Sequence, residues 1–156
     1  MALDKRHIIL PDEDATITLA EQVAAVLQPS DVLLLSGPIG AGKTTFARAV
    51  IRALLGRAED VPSPTFTLVQ TYATPRGEVW HCDLYRLTHP DEVMELGLDQ
   101  AFVDAICLIE WPDRLGQDIP ENTLKLTFAA RDTDHMVTLQ IPPTWQSRLK
   151  ALHAGS

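Results

Sequence analysis

The residues Gly37-Pro38-Ile39-Gly40-Ala41-Gly42-Lys43-Thr44 satisfy G-x-x-x-x-G-K-[ST] at every fixed position. Glycines let the backbone curl until successive N–H groups point inward as an anion nest. A helix that follows adds the positive end of its dipole. The lysine of such a loop reaches the β- and γ-phosphates, and the Ser or Thr hydroxyl ligates Mg²⁺. Average composition makes a chance match in a chain this long a roughly 0.5% event, so a glycine-rich turn that binds nothing is a poor explanation. The expected ligand is a nucleoside triphosphate with Mg²⁺. The expected binding set is Gly37, Ile39, Gly40, Ala41, Gly42, Lys43, Thr44 and Thr45, with Thr65 adding a hydroxyl to the metal or γ-phosphate. No Asn/Thr-Lys-x-Asp run that would read guanine follows Thr44, which points to adenine and so to ATP.

A phosphate loop of this kind needs an acid on a neighbouring strand to hold Mg²⁺ or its waters, and the sequence sign is an apolar run ending in Asp or Glu. Two positions qualify. Ile106-Cys107-Leu108-Ile109 runs into Glu110, and Val79-Trp80-His81-Cys82 runs into Asp83. A carboxylate beside buried residues must be paired or metal-bound. Thr44 and Glu110 are the expected metal ligands, and Asp83 the residue that orients a metal-bound or attacking water; the two acids exchanged is the alternative. Lys43, Asp83 and Glu110 form the expected catalytic set. Thr65, within Ser63-Pro64-Thr65-Phe66-Thr67, lies where GTPases keep a loop that senses the γ-phosphate; a rigid proline turn is the competing reading. Pro112 disfavours helical geometry at the residue before it, so Trp111 is expected to be extended just past Glu110, covering the nucleotide, meeting a partner or packing in the core.

These residues need elements to hold them. Residues 6–10 read as a strand. Thr16, Leu19, Ala20, Val23, Ala24 and Leu27 recur at helical spacing, giving a helix over 15–28. Residues 32–36 are an apolar run of the kind found in strands buried on both faces. Residues 37–42 are a loop and 43–55 a helix stopped by Gly56. A β-rich run ending at Tyr72, a turn over 74–77 and a strand over 79–85 make a hairpin. Residues 91–102 form a helix interrupted or bent near Gly97, residues 106–109 a second buried strand, residues 123–129 and 136–141 two later strands, and residues 145–153 a terminal helix. The expected fold is a single α/β domain over residues 1–156, a P-loop NTPase with a mixed, mostly parallel sheet flanked by helices.

Bulk properties narrow the function. The chain has 156 residues, 46% of them hydrophobic and 22% charged, as expected of one globular core. No apolar run approaches the ~20 residues needed to span a bilayer, and residues 1–10 lack the pattern of a secretory signal, so a cytoplasmic location without membrane contact is expected. The net charge is −8 and the thirteen Lys and Arg are scattered. The nearest thing to a basic patch is Arg48, Arg52 and Arg57, which argues against tight, unaided binding of nucleic acid. Cys82 and Cys107 match no zinc or redox spacing and read as buried thiols.

Taken together the motifs resemble the TsaE (YjeE) family. The order is GxxGAGKTTF over residues 37–46, SPTFTL over 63–68, HxDLYR over 81–86, then Glu95-Leu96-Gly97-Leu98 followed by Glu110-Trp111-Pro112. The resemblance covers roughly residues 15–130; the segment after Arg131 matches no block. It implies a small ATPase of bacterial tRNA modification that works with TsaB and TsaD, the partners that make threonylcarbamoyladenosine next to the anticodon. It implies phosphate and metal binding by Lys43 and Thr44, Mg²⁺ binding by Glu110, a need for Asp83 in hydrolysis, and a nucleotide-sensitive loop around Thr65. The tRNA would be met only through the partners, which suits the acidic balance. The chain departs from the family at Pro38-Ile39, where many members carry an acidic residue after the first glycine; proline also removes one N–H from the cradle.

Overall fold

The computed structural model describes residues 4–38, 41–56, 61, 68–87 and 91–150. Ile39, Gly40, Arg57 and Thr65 lie outside the described residues, so the readings that involve them stand as sequence expectations. Seven strands form one sheet: β1 (Asp4–Leu10), β2 (Val32–Ser36), β3 (Val69–Thr74), β4 (Gly77–Asp83), β5 (Ile106–Glu110), β6 (Leu124–Ala130) and β7 (His135–Ile141). Their order across the sheet is β1-β7-β6-β2-β5-β4-β3. The β6–β2–β5–β4 core is parallel, and the β1–β7, β7–β6 and β4–β3 pairs are antiparallel. Following these pairings, five of the seven strands run in one direction and only β3 and β7 oppose them. The mixed, mostly parallel sheet expected from the sequence is therefore present.

The helices are α1 (Glu13–Ala24), α2 (Lys43–Leu55), α3 (Asp91–Leu96), α4 (Leu98–Asp104) and α5 (Pro143–Gln146), with a 3-10 segment over Pro112–Asp118. Asp12 caps α1, its Oδ1 accepting the Ala15 N–H at 2.9 Å. Gly56 ends α2 in the left-handed region, its N–H returning to the Arg52 carbonyl at 2.9 Å. Gly97 also takes left-handed geometry, φ 83°, which breaks the expected helix into α3 and α4. The expected terminal helix is short: α5 begins at a proline and gives way to turns over residues 147–150.

Strand alternation divides the core. On one face Leu33 and Leu35 of β2, Ile106 and Leu108 of β5, Val79 of β4 and the buried residues of β6 and β7 pack against α1 and α2. On the other, Val32, Leu34, Cys82, Cys107 and Ile109 pack against Leu98 and Ala101 of α4. β2 is covered on both sides, which is why all four of its leading residues are apolar. Cys82 and Cys107 are free and buried as expected, and burial pushes the Cys107 thiol up to about 12. Of the basic residues noted above, Arg48 is spent inside the fold, where its Nε donates to the Val61 carbonyl at 2.6 Å. No helix among the described residues is long and apolar enough to cross a membrane.

Candidate functional site

β2 and β5 are adjacent, parallel and central, and their carboxyl ends open at the amino end of α2. A crevice outside the carboxyl ends of parallel strands is where ligands bind in open α/β sheets. Two glycines shape the entry to it. Gly37 has φ 130°, and a Cβ there would run into the carbonyl oxygen of Phe128 on β6, so only glycine allows the chain to leave β2 this close to β6. Phe128 also packs on Phe46 of α2, ring centroids 5.5 Å apart, which fixes the helix over the same spot. Gly42 precedes α2 at φ 106°, and no side chain caps the helix. The N–H groups of its first turn therefore lack the usual internal acceptor and are disposed toward an anion.

Lys43 is buried, at 5% exposure. Its Nζ donates to the Gly37 carbonyl at 2.5 Å and lies 3.6 Å from the centroid of the Trp111 ring. Burial lowers the lysine's pKa, and the charges of Glu110, Asp83 and Asp113 work in the opposite direction. The site thus holds a partly desolvated cation opposed by three carboxylates.

Asp83 and Glu110 are paired in register at the ends of β4 and β5. Both fall on the face that α2 covers, two residues beyond His81 and Leu108 respectively. Glu110 is 2% exposed. Its Oε1 accepts the Thr44 hydroxyl at 2.8 Å, and its Oε2 lies 2.7 Å from Nε2 of His81, which is fully buried. Asp83 is also buried; its Oδ1 accepts the Tyr85 N–H at 3.0 Å, and its own N–H donates to the Leu68 carbonyl at 2.9 Å. The structure therefore brings Lys43, Thr44, Asp83 and Glu110 together, with Gly37, Ala41, Gly42 and Thr45 at the loop and the first turn of α2.

Trp111 is not extended, contrary to the expectation from Pro112. It sits at φ 60° and ψ 55°, in the left-handed region. Proline disfavours right-handed helical geometry at the preceding residue, but the chain must also turn sharply off β5. Left-handed geometry lets the Trp111 N–H reach the Leu35 carbonyl at 3.3 Å while the ring covers Lys43. A non-glycine residue held there costs of order 1–3 kcal/mol, and such strain concentrates at functional sites. Tyr85 packs against Trp111 in a tilted arrangement, 4.8 Å between ring centroids.

Gly42, Lys43, Thr44, Thr45, Asp83, Tyr85, Arg86, Glu110 and Trp111 line one side of a cleft of about 690 Å³, within the range of roughly 300–1,000 Å³ usual for small-molecule sites. The other side is made by Pro11, Asp12, Glu13 and Thr16 at the start of α1 and by the β6–β7 turn from Arg131 to His135. Sequence reasoning missed this second wall, because it assigned no role to the segment after Arg131. It also missed a role for His81, although the spacing of His81 and Asp83 on a strand places both side chains on one face. Among the described residues no three His, Cys, Asp or Glu side chains cluster as a metal site. Mg²⁺ in such sites keeps several waters and takes one or two carboxylates plus substrate phosphates. The Thr44 hydroxyl and the Glu110 carboxylate are the oxygen donors that could hold it.

A family model described as threonylcarbamoyl adenosine biosynthesis protein TsaE matches residues 10–138. The chain belongs to the TsaE family. A relative from Rickettsia bellii, named tRNA threonylcarbamoyladenosine biosynthesis protein TsaE, is 40% identical over 134 residues, 86% of this chain and 93% of the relative. A Bacillus subtilis protein of the same name is 36% identical over 136 residues, covering 86% and 83%. The crystal structure of Bacillus subtilis YdiB superposes with a TM-score of 0.78 at 27% identity, over 97% of this chain and 96% of that one. The TsaE match extends past both ends of the span read from the motifs, and at its carboxyl end it takes in Arg131 to His135. Both walls of the cleft thus belong to the TsaE part of the chain.

Proposed function

We propose that this TsaE protein is an ATPase that binds Mg-ATP in the cleft and hydrolyses it to support threonylcarbamoyl transfer to tRNA adenosine by a TsaB–TsaD partner complex. One observation carries the nucleotide reading: the hydroxyl that follows the loop lysine meets a buried carboxylate at the end of the neighbouring parallel strand, Thr44 to Glu110 at 2.8 Å. A buried Glu on a fully apolar strand is costly unless it is paired or metal-bound, and this one faces a loop built for phosphate. The pathway rests on the family and on the names its relatives carry.

On this reading the roles are these. The amides of the loop and of the first turn of α2 receive phosphate oxygens, and the Lys43 ammonium neutralises charge on the β- and γ-phosphates. Lys43 leaves the Gly37 carbonyl and the Trp111 face to do so. Thr44 and Glu110 would hold Mg²⁺, which when bound would supply Lewis-acid stabilisation of charge on the phosphoryl group. Asp83, register partner of Glu110, accepts a hydrogen bond from the attacking water and orients it. The water's proton leaves toward that carboxylate as its oxygen bonds to the γ-phosphorus and the bond to ADP breaks. The chain alone is expected to be slow, because a cation supplied from outside by a partner can be worth ~10³–10⁵ in rate. With a net charge of −8, contact with tRNA runs through the partners.

Phosphate release from ATP, measured with and without the cognate TsaB–TsaD complex, tests this reading. Strong stimulation by the complex is expected. ATP binding without stimulation would remove the partner-coupled ATPase and leave a nucleotide-binding protein of another purpose.

A further inference from the structure

His81 plays no part in the mechanism above, yet it is among the most buried polar residues of the chain and touches the site directly. Its imidazole is fully buried, its Nε2 lies 2.7 Å from Glu110 Oε2, and its Nδ1 has no hydrogen-bond partner among the described residues. An ionised carboxylate only accepts hydrogen bonds, so with Glu110 ionised it is His81 Nε2 that donates. We infer that His81 is a positioning residue: it ties down one oxygen of Glu110 so that the other is presented to Thr44 and to the metal of a bound nucleotide.

Sheet geometry supports the assignment. His81 and Asp83 share a face of β4, and Asp83 is the register partner of Glu110 on β5. The imidazole therefore sits beneath the Glu110 side chain, on the side away from the cleft, while Asp83 flanks it at the mouth. With Oε2 engaged below and Oε1 turned toward α2, Glu110 has one orientation and one oxygen to offer. On this arrangement Glu110 is held toward the metal and Asp83 left to the water, the order expected from the sequence, which kept the exchanged order as its alternative. A donor that fixes a ligating group is commonly worth 10–100-fold in metal affinity or activity. A buried nitrogen tolerated without a partner on its far side is consistent with a histidine kept for its near-side bond.

The inference rests on the reading of Thr44 and Glu110 as metal ligands, and the test separates the two. ATP affinity is measured by calorimetry in excess Mg²⁺ and in EDTA, for wild type, His81→Leu, His81→Gln and His81→Asn. The readout is the metal-dependent gain in affinity. Wild type is expected to show a clear gain. His81→Leu is expected to lose about tenfold or more of it, with the metal-free affinity kept. His81→Gln places an amide donor near the former Nε2 and is expected to restore most of the gain; His81→Asn, too short to reach Glu110, is not. A His81→Leu protein with the full gain, or a His81→Gln protein as impaired as His81→Asn, overturns the inference while leaving the metal site standing. A wild type with no gain overturns the metal site itself and the inference with it. Should the Leu variant not fold, the Gln–Asn pair still decides, together with the ring resonances of His81 in ¹⁵N-histidine-labelled wild type. The hydrogen-bonded Nε2 proton is expected to be visible and to shift when Mg-ADP is added, and an unmoved resonance contradicts the role.

Discussion

The hydroxyl of Thr44, the second residue of α2, donates at 2.8 Å to Oε1 of Glu110, the last residue of β5, across sixty-six positions of sequence. The bond ties the phosphate loop's helix to the central strand beside it, and on the proposed reading the same two oxygens are the ones that would meet Mg²⁺. Thr44→Val keeps the shape and removes the donor. It is expected to lower stability by only about 0.5–1.5 kcal/mol, seen as a small shift in the urea midpoint, while abolishing most of the Mg²⁺-dependent part of ATP affinity. A variant that binds Mg-ATP like wild type would remove Thr44 from the metal site.

Asp83→Asn tests the division of labour between the acids. The amide keeps the volume and can still accept the Tyr85 N–H, so folding and ATP binding are expected to survive. Partner-stimulated phosphate release is expected to fall by about 10²–10⁴-fold, the usual worth of a positioned base. If Asp83→Asn instead loses Mg²⁺-dependent binding and Glu110→Gln keeps it, the two roles are exchanged.

Gly37→Ala addresses the shape of the loop. The added methyl meets the Phe128 carbonyl in a backbone conformation, φ 130°, that side chains rarely adopt. A loss of at least ~2 kcal/mol is expected from strain and overpacking together, measured by chemical denaturation, with ATP affinity falling as β2 and α2 separate. An unchanged denaturation midpoint would mean that the chain can leave β2 by another path.

Lys43 carries a pH signature. Its folded pKa lies below the ordinary 10.5, chiefly through burial. Between the lowered value and 10.5 the unfolded chain binds more protons than the folded one, so stability rises with pH there. The group's contribution is complete above 10.5 and is lost as pH falls through the folded value. At neutral pH the ammonium is therefore held against the stability of the fold, as functional groups often are. Without nucleotide, Lys43→Met is expected to be more stable than wild type at neutral pH, with the difference shrinking toward high pH in denaturant titrations. A variant less stable at neutral pH would show that the three carboxylates outweigh burial.

The parts of the site set by local rules were legible in the residues themselves. The run over residues 32–36, the glycines after it and the helix opening at Lys43 follow from doubly buried strand chemistry and from the loop motif, and the boundaries of β2 and α2 match to the residue. Glu110 was legible because an apolar strand ending in an acid is unusual. Gly97 marked the break between α3 and α4, although not its left-handed geometry. What the residues did not show is set by pairing between distant segments. That His81 lies against Glu110 depends on the β4–β5 register, and no local pattern announces which strand lies beside which. The left-handed Trp111 reflects a bond to Leu35 on β2 and a lysine beneath the ring, where the proline rule alone suggested extension. The second wall of the cleft, at Asp12 and at the β6–β7 turn, exists because β1 pairs with β7 at the far side of the sheet, an arrangement with no nearby sequence signal.

The central claim is that ATP binds with its phosphates between Lys43 and the Thr44–Glu110 pair. Calorimetric titration of ATP into wild type and Lys43→Met, each with and without Mg²⁺, tests it most directly. Binding is expected in wild type, tighter with Mg²⁺, and is expected to be lost or severely weakened in Lys43→Met while the variant remains folded. Equal ATP affinity in the two proteins would contradict the account, because the nucleotide would then be held somewhere other than this loop.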